Sequence, residues 1–179
     1  MRKIKNLIKK IFYKSTWKDI EYFDDKWKER IFLMSTFINP NDSVLDLGCG
    51  KMWLKEYLKE TNMYFPSDYI KRSNECEVVD FNKRQFPKIS VNVVFASGVL
   101  EYVDNPQWFV NEINKCSFRC IISYCSTNYF PDINNRKSLK WVNNFSEVDL
   151  IELFTKYNFV LKEKLLTDTN NSIFVFDKL

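Results

Sequence analysis

Histidine is missing from all 179 residues. That removes the side chain most often used as a general base near neutral pH and a common metal ligand. Any base must then be another group, with carboxylates the nearest candidates, and no metal site is expected. Glycine is nearly missing too. The chain has three, and two of them, Gly48 and Gly50, stand two apart. Glycine lets a backbone turn tightly or approach a ligand closely, so the pair reads as the floor of a ligand site rather than as scattered flexibility. No apolar run approaches the roughly 20 residues of a membrane-spanning helix. The basic start runs into charged, aromatic sequence with no apolar core or small-residue cleavage site, so no signal peptide is expected and the cytoplasm is the expected compartment. Five cysteines, an odd count, show no disulfide framework and fit a reducing compartment. There is no P-loop lysine motif, internal repeat or low-complexity tract.

Aromatic side chains are plentiful. Five Trp, nine Tyr and sixteen Phe supply bulk for packing and for stacking on flat ligands. The length suits one domain with a sizeable core. The net charge of +4 is uneven: residues 1–18 hold seven Lys or Arg and no acid, leaving 20 basic against 23 acidic residues in the rest. The slightly acidic body argues against a general nucleic-acid surface. At the basic end, Ile4, Leu7, Ile8, Ile11 and Phe12 recur at helical spacing with lysines on the other face. This basic amphipathic helix has three readings: weak contact of residues 1–18 with an anionic membrane surface, packing on its own domain, or a lid over a cleft. The size of the stripe favours packing. A second helix is expected from about Trp17 or Asp19 to Phe37, with Tyr22, Phe23, Trp27, Ile31, Met34 and Ile38 inward, ending at the turn residues Asn39-Pro40-Asn41-Asp42. The expected division is an N-terminal helical extension over 1–40 and a main domain over 41–179.

Beyond that turn, strands and helices alternate. Strands are expected over Ser43–Leu47, Met63–Pro66, Glu77–Val79, Val91–Ala96, Arg119–Tyr124, Phe159–Leu166 and Ser172–Phe176. Helices are expected over Lys51–Lys59, Pro106–Asn114 and Glu147–Lys156, and the Asn-rich stretch near 128–144 reads as the least regular part. The pattern predicts an α/β fold with βαβ units and a mostly parallel sheet. In such a sheet, ligands sit beyond the carboxyl ends of the strands. Four successive strands end in a polar or glycine element there: Asp46 with Gly48 and Gly50, then Asp68, then Asp80, then Ser97 with Gly98.

These elements carry a resemblance. Val44-Leu45-Asp46-Leu47-Gly48-Cys49-Gly50, Asp68 placed 22 residues after Asp46, Val78-Val79-Asp80-Phe81, and the segment Val93 to Val103 together resemble the class I S-adenosylmethionine-dependent methyltransferases. The likeness covers about 43–124, and the closing helix with two strands is similar to the family's end. It implies a Rossmann-like, seven-stranded sheet with helices on both faces and the last strand inserted antiparallel. It implies S-adenosyl-L-methionine as cofactor. Gly48, Cys49 and Gly50 would offer backbone N–H groups to the methionine carboxylate, and Asp46 would face the amino end. Asp68 would take the ribose hydroxyls, because a carboxylate offers two acceptor oxygens. Asp80 would take the adenine amino group and the Phe81 backbone a ring nitrogen, with Tyr69 or Ile70 on the adenine face. Ser97 and Gly98 would lie under the methionine part, near the methyl.

Two departures stand out. Met52 and Trp53 follow the glycine pair where the family often has a further small residue, and Trp53 also occupies the third position of the dinucleotide pattern GxGxxG. Tyr102 stands where many relatives carry histidine. Glu101 and Asp104 are the nearest candidate bases, with Tyr102 hydrogen-bonding the acceptor or shaping its pocket. Tyr124, Asn128, Tyr129 and Asp132 are candidates for the acceptor side. Each of these also has an ordinary structural reading, and an amine or ionised acceptor needs no base. Cys116, Cys120 and Cys125 lack the spacing of an iron–sulfur cluster in radical enzymes, and Cys120 falls inside a strand, where a buried apolar role fits better. Ser97-Gly98-Val99-Leu100 replaces the Pro-Pro-aromatic element of enzymes that methylate nucleic-acid bases, so no nucleic-acid partner is expected. The expectation is a methyltransferase acting on a small-molecule or saccharide acceptor. The alternatives are a non-catalytic cofactor-binding protein or subunit, or a peripheral-membrane methyltransferase with a lipid-linked acceptor.

Overall fold

A computed structural model describes residues 23–179. The basic helix expected over 4–12, its membrane, packing and lid readings, and the start of the second expected helix lie outside the described residues.

Apolar residues on alternating sides of the strands build a sheet covered on both faces. The strands are β1 (Ser43–Leu47), β2 (Met63–Asp68), β3 (Glu77–Val78), β4 (Val91–Ser97), β5 (Ser117–Tyr124), β6 (Phe159–Leu166) and β7 (Ser172–Lys178). Their order is β3-β2-β1-β4-β5-β7-β6. The first five run parallel. β7 is inserted antiparallel between β5 and β6. This is the Rossmann-like, seven-stranded arrangement that the sequence led us to expect.

On one face, Leu45, Leu47, Val94, Ala96 and Ile122 meet α2 (Pro106–Cys116) and α4 (Glu147–Thr155) through Phe109, Val110, Ile113, Leu150, Leu153 and Phe154. On the other, Val44, Val93, Phe95 and Ile121 meet Met34 of α1 (Lys26–Ser35) and Leu54. Residues first assigned to an N-terminal extension therefore share a core with the sheet. The helix starts follow from their caps. The Asn105 side chain accepts from the Trp108 N–H with Pro106 in the first turn, and Ser146 and Asp149 form a reciprocal capping box.

Two expectations need correction. Lys51–Lys59 is not an α-helix. It holds a single 3-10 turn over Trp53–Glu56, because Met52 is left-handed (φ 59°) and blocks helical continuity with the glycine turn. Within it Trp53 and Leu54 are buried. The stretch 128–144 is more regular than expected. It contains α3 (Ile133–Ser138), begun by the Asp132 side chain, which accepts from the Asn134 and Asn135 N–H groups.

Among the described residues no helix is long and apolar enough to cross a membrane.

Candidate functional site

The sheet register brings the strand tips together. Asp46 pairs with Pro66 of β2 and Phe95 of β4, and Ser67-Asp68 pair with Glu77-Val78. Beyond these tips lies one cleft. Asp46, Gly48, Cys49, Gly50, Asp68, Tyr69, Asp80, Phe81, Ser97 and Gly98 all line it, as do Tyr102 and Ile70.

Asp46 is buried, and its carboxylate accepts from the Tyr64 hydroxyl at 2.7 Å. Burial pushes its carboxyl up to about 7, against the pull of the Tyr64 hydrogen bond and helped by the neighbouring Asp68 charge. Asp68 is held on both oxygens. Oδ2 accepts from the Gly50 N–H at 2.8 Å and Oδ1 from the Ile70 N–H at 3.0 Å. The Arg72 guanidinium lies 3.4 Å away. Asp80 Oδ1 accepts from the Asn82 N–H at 3.1 Å and starts the 3-10 turn Phe81–Lys83. Ile70, Val79 and Phe81 supply an apolar wall.

The amides of the glycine turn have partners within the protein. Gly48 and Cys49 donate their N–H groups to the Ser67 carbonyl at 2.8 and 2.9 Å. Gly50 donates to Asp68. The turn is thereby stapled to β2, and its three amides are already engaged rather than open to a ligand carboxylate. Only a four-residue 3-10 turn follows, so there is no long helix to present further amides. Gly50 has a second constraint: a Cβ there would sit 2.6 Å from Phe23 Cε1. Phe23 meets Trp53 edge-to-face at 5.8 Å, and the Lys51 ammonium lies over both rings. The bulk at Trp53 thus serves as a platform for Phe23 at the mouth of the cleft.

Of the three expected catalytic residues, Tyr102 alone lines the cleft. Burial pushes its hydroxyl up to about 12. Glu101 is 1% exposed and sits behind the wall, where Oε1 accepts from the Cys125 N–H at 2.9 Å and Oε2 has no partner. Burial raises its carboxyl, against the Cys125 hydrogen bond and the charges of Arg30 and Arg136. Asp104 is exposed and outside the cleft, and its N–H donates to Asn82 Oδ1 at 2.9 Å. Neither carboxylate is placed to meet an acceptor in the cleft.

The residues expected on the acceptor side do not line the cleft either. Tyr124 is fully buried and its hydroxyl accepts from Arg136 Nη2 at 2.9 Å. Asn128 Oδ1 accepts from the Glu147 N–H, Asp132 caps α3, and the Tyr129 N–H donates to the Ser126 carbonyl. They shape the loop around Arg136 instead. That guanidinium, 0% exposed, donates to Asn144 Oδ1 and to the carbonyls of Cys125, Phe130 and Asn143 as well as to Tyr124.

Sequence reasoning missed Arg30, Asn82, Lys51 and Arg72 as cleft residues. Arg30 had a readable signal. It lies three residues from Trp27 and four from Met34, on the inward face of α1. It is 7% exposed and its Nε donates to Ser97 Oγ at 3.0 Å. Phe23 and Trp27 were read as inner-face residues, and both reach the cleft.

No protein-family model matches the sequence, and no curated protein does. Solved structures match the fold. Magnesium protoporphyrin IX methyltransferase from Synechocystis PCC 6803, with bound S-adenosylhomocysteine, superposes with a TM-score of 0.66 at 14% identity over 87% of this chain and 83% of that one. Burkholderia thailandensis 1,6-didemethyltoxoflavin-N1-methyltransferase, with 1,6-didemethyltoxoflavin and S-adenosylhomocysteine, gives 0.68 at 13% identity over 87% and 79%. A possible histamine N-methyltransferase from Thermotoga maritima gives 0.64 at 11% identity over 85% and 89%. The chain has the class I S-adenosylmethionine-dependent methyltransferase fold.

Proposed function

We propose that this chain is an S-adenosyl-L-methionine-dependent methyltransferase acting on a small-molecule or saccharide acceptor. The observation that carries the reading is the convergence of Asp46, Asp68, Asp80 and Ser97, from four separate strand tips, on one cleft. The donor set fits the cofactor. Each Asp68 oxygen accepts one backbone N–H and keeps acceptor capacity, which suits the two ribose hydroxyls. Ile70, Val79 and Phe81 suit a flat adenine, with Asp80 beside them for its amino group. Asp46 suits the ammonium of the amino-acid end. The fold neighbours bound to S-adenosylhomocysteine agree with this assignment, and one of them holds a small heteroaromatic acceptor.

When bound, the cofactor supplies a sulfonium methyl group for in-line displacement by the acceptor. The chain's part is to hold and align. Asp46 and Asp80 would hold the amino-acid and adenine ends of the ligand and Asp68 the ribose between them, Ser97 and Gly98 would lie under the methionine part, and Tyr102 brings to the cleft a hydroxyl that stays protonated at neutral pH. Positioning of this kind supplies much of the rate in a transfer that needs no metal or redox step. With Glu101 and Asp104 outside the cleft, an amine or already ionised acceptor suits the site better than a neutral alcohol.

That same placement of Glu101 and Asp104 favours one second reading, a cofactor-binding protein or subunit without turnover of its own. Calorimetry with S-adenosylmethionine and S-adenosylhomocysteine tests both readings. Folded protein should give heat with each, and Asp68→Ala should weaken binding by about 1.5–3 kcal/mol through lost charged hydrogen bonds. No heat with either ligand overturns both readings. Release of S-adenosylhomocysteine only when an acceptor is added separates enzyme from binder.

A further inference from the structure

The described part of the chain buries two arginines inside the fold, and the structure treats them differently. Arg136 has its donors engaged by carbonyls, Asn144 and the Tyr124 hydroxyl. Arg30, itself 7% exposed, spends Nε on Ser97 Oγ. Among the described residues nothing accepts from its Nη1 or Nη2, and no carboxylate lies within ion-pair distance. Glu101, behind the cleft wall, is the strongest attractive charge on it but forms no ion pair within 4.0 Å. Guanidinium cannot escape by losing its proton, so a buried fork without an anion is costly to hold.

The surroundings are built to receive that fork. Arg30 lines the cleft. It lies over Gly98, where a Cβ would come within 3.3 Å of Nη2, and the positive φ of 68° adds a second reason for glycine. Of the other cleft cations, Arg72 lies over the Phe23 ring with its Nε 3.4 Å from Asp68 Oδ1 but without a hydrogen bond, and Lys51 lies over the Phe23 and Trp53 rings. The cleft's other acids, Asp68 and Asp80, repel an anion elsewhere in it. The amides of the glycine turn are occupied by Ser67 and Asp68.

We propose that Arg30 is a carboxylate-binding residue of the cleft, taking a ligand carboxylate through Nη1 and Nη2 above Gly98. The planar fork matches a carboxylate in two-point contact. The carboxylate has two possible sources, the amino-acid end of the cofactor or the acceptor. The first source rests on the methyltransferase reading above. In either case an arginine of α1 does the work that the glycine turn was expected to do.

The test is calorimetry on wild type, Arg30→Met and Arg30→Lys with two ligands, S-adenosylhomocysteine and 5′-methylthioadenosine. The second keeps the adenosyl thioether and lacks the amino-acid end. If the cofactor supplies the carboxylate, Arg30→Met weakens S-adenosylhomocysteine at least tenfold and leaves methylthioadenosine within twofold, and Arg30→Lys restores part of the loss. If the acceptor supplies it, both variants bind S-adenosylhomocysteine as wild type does. Benzoate, added as a simple carboxylate probe at saturating S-adenosylhomocysteine, then raises the Tm of wild type and not of Arg30→Met. Should the variants fail to fold, the wild type decides. Either the methyl ester of S-adenosylhomocysteine binds at least tenfold more weakly than the acid, or benzoate raises the Tm where benzamide does not. Unchanged S-adenosylhomocysteine affinity together with an equal benzoate response in wild type and Arg30→Met overturns the proposal. So does an ester that binds like the acid when benzoate has no effect. Wild type that binds neither adenosyl ligand overturns the methyltransferase reading instead, and benzoate against benzamide, without cofactor, still decides on Arg30.

Discussion

Between pH 5 and 8 a protein without histidine should be electrostatically quiet, and Asp46 is expected to break that silence. Burial raises its carboxyl from 3.8 to about 7. The difference corresponds to about 4 kcal/mol between protonated and ionised forms. The sign follows from linkage. Below about pH 4 the group is neutral in both folded and unfolded chains, and its full contribution to stability is present. As pH rises from there to about 7, the unfolded chain ionises while the folded one keeps its proton, so stability falls. Above about 7 that contribution is gone. From pH 5 upward the expected loss from this residue is roughly 3 kcal/mol. Asp46→Asn keeps an oxygen to accept from the Tyr64 hydroxyl and removes the titration. Urea unfolding at pH 5, 6, 7 and 8 should show wild type losing stability more steeply than Asp46→Asn. The buried Glu101 titrates in both proteins and drops out of the difference. Parallel stability curves for the two proteins would refute the assignment.

Two further outcomes are expected. Arg136→Met should destabilise the fold by about 3–5 kcal/mol, since it strips partners from Tyr124 and from the Cys125 and Asn143 carbonyls; a loss below about 1 kcal/mol in urea unfolding would show the network to be dispensable. The Cys49 thiol, buried 3.8 Å from the Cys76 sulfur and pushed above its ordinary range by burial, should be alkylated by iodoacetamide at pH 8 at least about tenfold more slowly in the folded protein than in urea. Peptide mass mapping reads this, and equal rates would mean that the turn opens freely.

Most of the sheet and all four strand tips were legible because they rest on short-range signals. Alternation in Val93-Val94-Phe95-Ala96 fixes which residue faces which helix layer, and an acid or glycine at the end of an apolar run marks a tip. What escaped depends on partners distant in sequence. Nothing around Lys51–Lys59 announces that Met52 will be left-handed. The inwardness of Arg30 was masked by its charge, since arginine on an amphipathic helix ordinarily faces water. Glu101 looked like a candidate base because it follows the fourth tip, yet its carboxylate turns toward the Cys125 N–H at the end of β5. Tyr124, Asn128 and Asp132 suggest acceptor residues by their place at or beyond the end of β5. They are committed instead to Arg136, to the Glu147 N–H and to the start of α3, partners that no local pattern names.

The position of β7 governs the order of assembly. It follows β6 in the chain yet lies between β6 and β5, so during synthesis β5 shows a bare edge until Ser172–Lys178 emerges. Phe176 then slides flat against Phe154 at 4.2 Å and closes the aromatic stack that anchors α4. The half of the sheet bearing the cleft can pair early, whereas the other half must wait for β7, leaving a nascent chain whose exposed edge calls for protection from its neighbours.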